Sequence, residues 1–112
     1  MTDAGRRHRI DVGALQTEAF RFHAEGDLQQ AERLCRRILA LDPDRVEVLH
    51  LTGVIAAETG RAAEAVELID RAIALDGEVP AFHYTLSRAF ELEGKPAEAL
   101  LNRGNGLRAE GR

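Results

Sequence analysis

Aromatic residues make up only 4% of the 112 residues, and tryptophan is absent. A core must therefore be built from aliphatic side chains. There is a single cysteine, Cys35, which excludes an internal disulfide framework. It lies among Leu34, Ile38 and Leu39 and reads as a small, inert core residue. An excess of basic charge is also missing. The net charge is −4, which is no footprint for nucleic acid. No stretch approaches the ~18 consecutive apolar residues of a membrane span. The opening MTDAGRRHRID carries Arg6, Arg7 and Arg9, but no apolar run follows, so it is not a secretory signal. Residues 1–11 are expected to form a flexible basic tail, and the protein is expected to be cytoplasmic, with no membrane partner.

Catalytic patterns are lacking as well. His8, His23, His50 and His83 include no i, i+4 pair that would place two imidazoles on one helix face for zinc. The glycines form no phosphate-binding loop. Glu58, Glu64, Glu67 and Asp70 alternate with Arg61 and Arg71 as a solvated helix face does. Neither a cofactor, a metal nor an enzymatic activity is expected.

Strong helix formers are abundant: Ala, Leu, Glu and Arg dominate. Their arrangement repeats. Gly26, Gly60 and Gly94 stand 34 residues apart, as do Ala31, Ala65 and Ala99, and Leu39, Ile73 and Leu107. The segments EGDLQQAERLCRRILALDPD, TGRAAEAVELIDRAIALDGE and EGKPAEALLNRGNGLRAEGR align without a gap. The units are 12–45, 46–79 and 80–112, forming one domain over 12–112.

Each unit predicts two helices. Leu15, Ala19 and Phe22 form one apolar stripe; Ala31, Leu34, Cys35, Ile38, Leu39 and Leu41 form the next. Gly26 stops the first helix, and Asp27 caps the second with Gln30 as its capping-box partner. Asp42 is expected as an N-cap with Pro43 in the first turn that follows, and Pro96 as a helix start. Further helices are expected near 46–58, 62–75 and 80–92. Ala19, Gly53 and Ser87 leave room for the two helices of a pair to approach closely. Each pair buries only part of its apolar surface, so the next must cover the rest.

Leu49, Gly53, Gly60, Ala65, Ala72 and Leu75 in the middle unit carry a resemblance to the tetratricopeptide repeat family, as do Ala19, Phe22, Gly26, Ala31, Leu41, Asp42 and Pro43 in the first. It spans about residues 12–101. Two departures stand out: Leu15, Leu49 and His83 occupy the usual tryptophan slot, and Gly77 replaces a closing proline, suggesting a looser turn. The resemblance implies an all-α, right-handed superhelix of three antiparallel helix pairs that binds peptides or protein surfaces on its concave face. The matching positions are Gln16, Thr17, Phe20, His23, His50, Leu51, Val54, Ala57, Tyr84, Thr85, Arg88 and Glu91. Phe20 and Val54 could instead pack between neighbouring pairs.

The family's clamp for a C-terminal carboxylate would need cations at Gln16, Phe20, Leu51, Ala81 or Thr85, and none is present. Its asparagine ladder is replaced by Thr17, Leu51 and Thr85. An uncharged, moderately apolar groove for a short hydrophobic or amphipathic segment of a protein partner is expected. Two other roles remain open: self-association, by exchange of the C-terminal helix or end-to-end stacking, and a targeting part of a larger bacterial enzyme system. The final helix carries Asn102, Gly104 and Gly106; the two glycines together cost about 2 kcal/mol relative to alanine, which predicts order through about Leu101 and fraying beyond it.

Overall fold

A computed structural model of the protein describes residues 10–111. The expected basic tail falls mostly outside these residues. Among the described residues, six helices follow one another: α1 Val12–Ala24, α2 Leu28–Leu41, α3 Val46–Glu58, α4 Ala62–Leu75, α5 Pro80–Leu92 and α6 Pro96–Glu110. Asp11 opens the first, its carboxylate accepting the Ala14 N–H at 3.0 Å. Asp27 does the same for Gln30 at the start of α2. The Gln30 side chain does not close the box; it accepts from Arg33 instead. Pro80 and Pro96 open α5 and α6, where a missing N–H costs nothing.

The three turns inside the pairs are alike. Gly26, Gly60 and Gly94 have φ of +83°, +81° and +75°, a left-handed conformation that only glycine takes cheaply. It lets the next residue's N–H reach back across the helix end: Asp27 to Phe22, Arg61 to Ala56, Lys95 to Phe90. The turn between α2 and α3 differs from expectation. Asp42 closes α2 and accepts from Arg45, and Pro43 lies in the turn, because α3 does not begin until Val46. The turn at Gly77 is held rather than loose, since the Gly77 carbonyl accepts from His83 Nε2 at 2.8 Å.

Within each pair the small residues set the spacing. Ala19, Ala31 and Ala65 are fully buried, and Ala99 nearly so. A Cβ on Gly53 would stand 2.5 Å from Ile69 Cδ1. At the equivalent place in the third pair, Ser87 donates its hydroxyl to the Ala99 carbonyl at 2.7 Å. Pairs then join through α2–α3 and α4–α5. Two cores result, and each straddles a boundary between pairs. One unites Ala19, Ala31, Cys35 and Ile38 with Val48, Leu51 and Ile55 of α3. The other unites Leu49, Ala65, Leu68, Ile69 and Ala72 with Phe82, Leu86 and Ala89 of α5. Helix α3 thus faces a core on both sides, which is why seven of its thirteen residues are buried. Stacking of this kind lengthens the molecule: its radius of gyration is 15.7 Å, against about 13 Å for a compact chain near 100 residues.

The structure corrects the expected fraying. Helix α6 runs unbroken to Glu110. Gly106 is buried, and a Cβ there would lie 2.7 Å from the Tyr84 ring. Glycine is in the helix because α5 fills the space its side chain would need. Asn102 adds support by donating to the Glu98 carbonyl.

On the surface made by the second helices, α2 and α4 are tied by charge. Arg61 grips Glu32 through both guanidinium nitrogens, at 2.6 and 2.8 Å. Arg36 bridges Glu32 and Glu64, at 2.8 and 2.7 Å. The hydrogen bonds from Arg61, with a further contribution from Arg36, hold the Glu32 carboxyl at about 2 against the opposing effect of burial.

Two outcomes follow for stability. Gly53→Val should cost about 1–3 kcal/mol in urea unfolding, because the new methyls meet a fully buried Ile69. Glu32→Gln should cost about 1 kcal/mol at neutral pH. Since folding depresses this pKa, that difference is fully present above about 4.5 and shrinks as the pH falls toward about 2.

Candidate functional site

The first helices of the pairs, α1, α3 and α5, line one side of the array. Their facing positions repeat in register: Gln16, His50, Tyr84; Phe20, Val54, Arg88; His23, Ala57, Glu91. Between α3 and α5 this face sinks into a groove of about 690 Å³, lined by Val54, Ala57 and Glu58 on one wall and Tyr84, Thr85, Arg88 and Leu92 on the other. Val54, Ala57 and Leu92 supply apolar surface. The groove is not the uncharged one expected: Glu58 and Arg88 both reach into it.

Two histidines span neighbouring first helices. His23 Nε2 of α1 meets Glu58 Oε1 of α3 at 2.9 Å. His50 Nε2 of α3 meets Thr85 Oγ1 of α5 at 2.7 Å, with its ring tilted 48° to Phe82 at 4.9 Å. Burial pushes the His50 pKa down, so its imidazole is neutral at physiological pH. Both contacts join residues 35 apart, one step off the repeat. These histidines act as struts that fix the distance between successive first helices. Glu58 is occupied by its strut. Arg88 is exposed and has no ion-pair or hydrogen-bond partner among the described residues.

Of the positions expected on this face, Val54, Ala57, Tyr84, Thr85 and Arg88 are brought together in the groove. His23 and His50 border it as struts. Phe20 is 42% exposed on α1, apart from the groove. Gln16 is engaged by Arg45 Nε at 2.6 Å, and Thr17 donates to its own helix at Gly13. Leu51 is corrected outright. It is 3% exposed and packs with Ala31, Cys35 and Ile38, because α3 turns that face toward the first pair. Glu58 and Leu92 were missed. Each stands one helical turn beyond an expected residue, Val54 and Arg88, so i+4 spacing could have found them. His83 is buried outside the groove; its Nε2 donates to Gly77, and its Nδ1 has no partner.

No group of three His, Cys, Asp or Glu side chains among the described residues is placed to hold a metal. Cys35 is buried, and desolvation pushes its thiol pKa up, away from nucleophilic use. No described helix is long and apolar enough to cross a membrane.

The sequence model of one family, described as tetratricopeptide repeat, matches residues 22–89. The TPR repeat-containing protein YvcD of Bacillus subtilis is 31% identical over 105 residues, covering 88% of this chain and 22% of its own. An O-GlcNAc transferase of Thermobaculum terrenum, solved as a point mutant, superposes with a TM-score of 0.85 at 30% identity. That match covers 97% of this chain and 20% of the transferase. The translocator chaperone SycD of Yersinia enterocolitica type III secretion has a TM-score of 0.83 at 17% identity over 88% of this chain and 74% of its own, a likeness of fold alone. The chain therefore spans about a fifth of the length of the first two.

The division between core and groove is open to measurement. Leu51→Ala should cost about 2–5 kcal/mol in thermal or urea unfolding. Arg88→Ala should change stability by no more than about 0.5 kcal/mol.

Proposed function

The chain belongs to the tetratricopeptide repeat family, and on that premise we propose that it is a non-catalytic interaction module. Its α3–α5 groove takes an extended segment of a partner protein. The observation that carries this is the pairing of a free cation with apolar walls. Arg88 stands unpaired among the described residues, beside Val54, Ala57 and Leu92. A segment that sets an aliphatic side chain on those walls and a carboxylate against Arg88 satisfies both at once. The His50–Thr85 contact favours binding too, because it ties α3 to α5 across the groove and so reduces what must be ordered when a ligand arrives.

Head-to-tail stacking of copies has less behind it. Where α3 presents Val48, Leu51, Thr52 and Ile55 to the preceding pair, α1 presents Ala14, Thr17, Glu18 and Arg21, all exposed. Arg21 is already engaged with Glu18 and Glu25. A role as the repeat segment of a larger enzyme has one observation in its favour, the match to a fifth of an O-GlcNAc transferase. In that case the chemistry resides outside these residues, and the isolated domain transfers no sugar.

An array of random octapeptides tests the groove. Wild type should enrich sequences that combine Leu, Ile or Val with a nearby Asp or Glu. Arg88→Glu should weaken retention by about tenfold and abolish the acidic preference while leaving the helical circular dichroism intact. Enrichment indifferent to Arg88→Glu would overturn the assignment.

A further inference from the structure

We infer that Gly106 is a positioning residue for the groove: having no side chain, it lets the Tyr84 ring lie back against α6 and serve as a wall of the groove rather than an obstruction in it. The inference rests on the groove being the binding site.

The geometry is one-sided. The three atoms nearest to a Cβ on Gly106 are all in the Tyr84 ring: Cε1 at 2.7 Å, Cδ1 at 2.9 Å and Cζ at 3.0 Å. Gly104, two residues earlier on the same helix, would have nothing within 4 Å of its Cβ. The two glycines that look equivalent in the sequence therefore differ in kind. One is open to a side chain and the other is closed by a specific aromatic ring. Tyr84 also lines the groove, beside Thr85 and Arg88.

The repeat register explains why the third pair needs this contact. Gly106 stands in register with Ile38 and Ala72. Ile38 packs in one core with Val48 and Leu51 of the following pair, and Ala72 in the other with Phe82 and Leu86. At Gly106 the covering group comes from its own pair. Tyr84 is likewise in register with Gln16 and His50, which reach to Arg45 and to Thr85 and Phe82. Tyr84 turns to α6 instead. Partial desolvation, then the Glu110 carboxylate four residues beyond Gly106, raise the Tyr84 pKa, as expected of a phenol lodged near the end of α6. A methyl on Gly106 must displace the ring, and with α6 behind it the ring moves toward the groove.

The protein supplies its own probe. Tyr84 is the sole tyrosine, and there is no tryptophan, so near-ultraviolet circular dichroism and tyrosine fluorescence report on this ring. Gly104→Ala should raise the thermal midpoint and leave the Tyr84 signals unchanged, since alanine favours the helix and meets nothing. Gly106→Ala should alter the Tyr84 signals and fail to raise the midpoint. Adding Tyr84→Ala should restore the gain, because the obstruction is gone. The octapeptide that wild type retains most tightly should bind Gly106→Ala about tenfold more weakly and Gly104→Ala unchanged. If Gly106→Ala matches Gly104→Ala in Tyr84 signals, midpoint and affinity, the inference is overturned. If Tyr84 moves and affinity does not, the groove role is overturned. Wild type that retains no octapeptide overturns the binding assignment itself, and this is read without either glycine variant.

Discussion

Helix pairs here depend on places where a side chain has been left out. Helices pack roughly 8–10 Å apart according to the side chains between them, and an approach at the near end of that range needs the room that glycine, alanine or serine leaves at the crossing. Gly53 provides it in the middle pair, with Ile69 filling the space a side chain would occupy. Ala19 and Ala31 provide it in the first, and Ser87 with Ala99 in the third, where the hydroxyl also satisfies a carbonyl. The rest of the architecture follows from that contact. Once the pair is close, the larger residues Leu49, Ile55 and Leu68 are directed outward to the two core seams between pairs. The first helices are then left side by side with a groove between them.

The two broad surfaces use charge in opposite ways. On the side of α2 and α4, Glu32, Glu64, Arg36 and Arg61 neutralise one another. On the side of α3 and α5, Glu58 is bound to His23 and Arg88 is left over. Screening by salt weakens exposed pairs and steering charges alike. On the first surface that loss falls on stability; on the second it falls on recognition.

Much of the fold could be read from the 34-residue register, because the same physics recurs three times. The helices near 46–58, 62–75 and 80–92 lie where the apolar stripes place them. The three left-handed glycines and the buried alanines were legible for the same reason. What escaped depends on contacts between units. Leu51 looks like a surface residue until α3 is seen to face two cores. The histidine struts join residues 35 apart, a spacing that no single helix reveals. Gly106 was misread because intrinsic propensity counts glycine as a cost and cannot register the ring that occupies its place. The groove itself was half legible: its middle was found through the family resemblance, and its ends at Glu58 and Leu92 were not.

Helix α3 supplies wall to both cores, and this has a bearing on how the protein comes apart. If the outer pairs open separately, each exposes one side of α3 while the other side stays covered. The centre cannot melt until both neighbours have gone. Unfolding then proceeds inward from either end, and amide protons of α3 become the slowest to exchange with solvent. Few seams join the pairs, so cooperativity is carried by interfaces rather than by a single nucleus. A ligand laid across α3 and α5 would bridge the second seam from outside, and would resist opening of the third pair in proportion to its own grip on the groove.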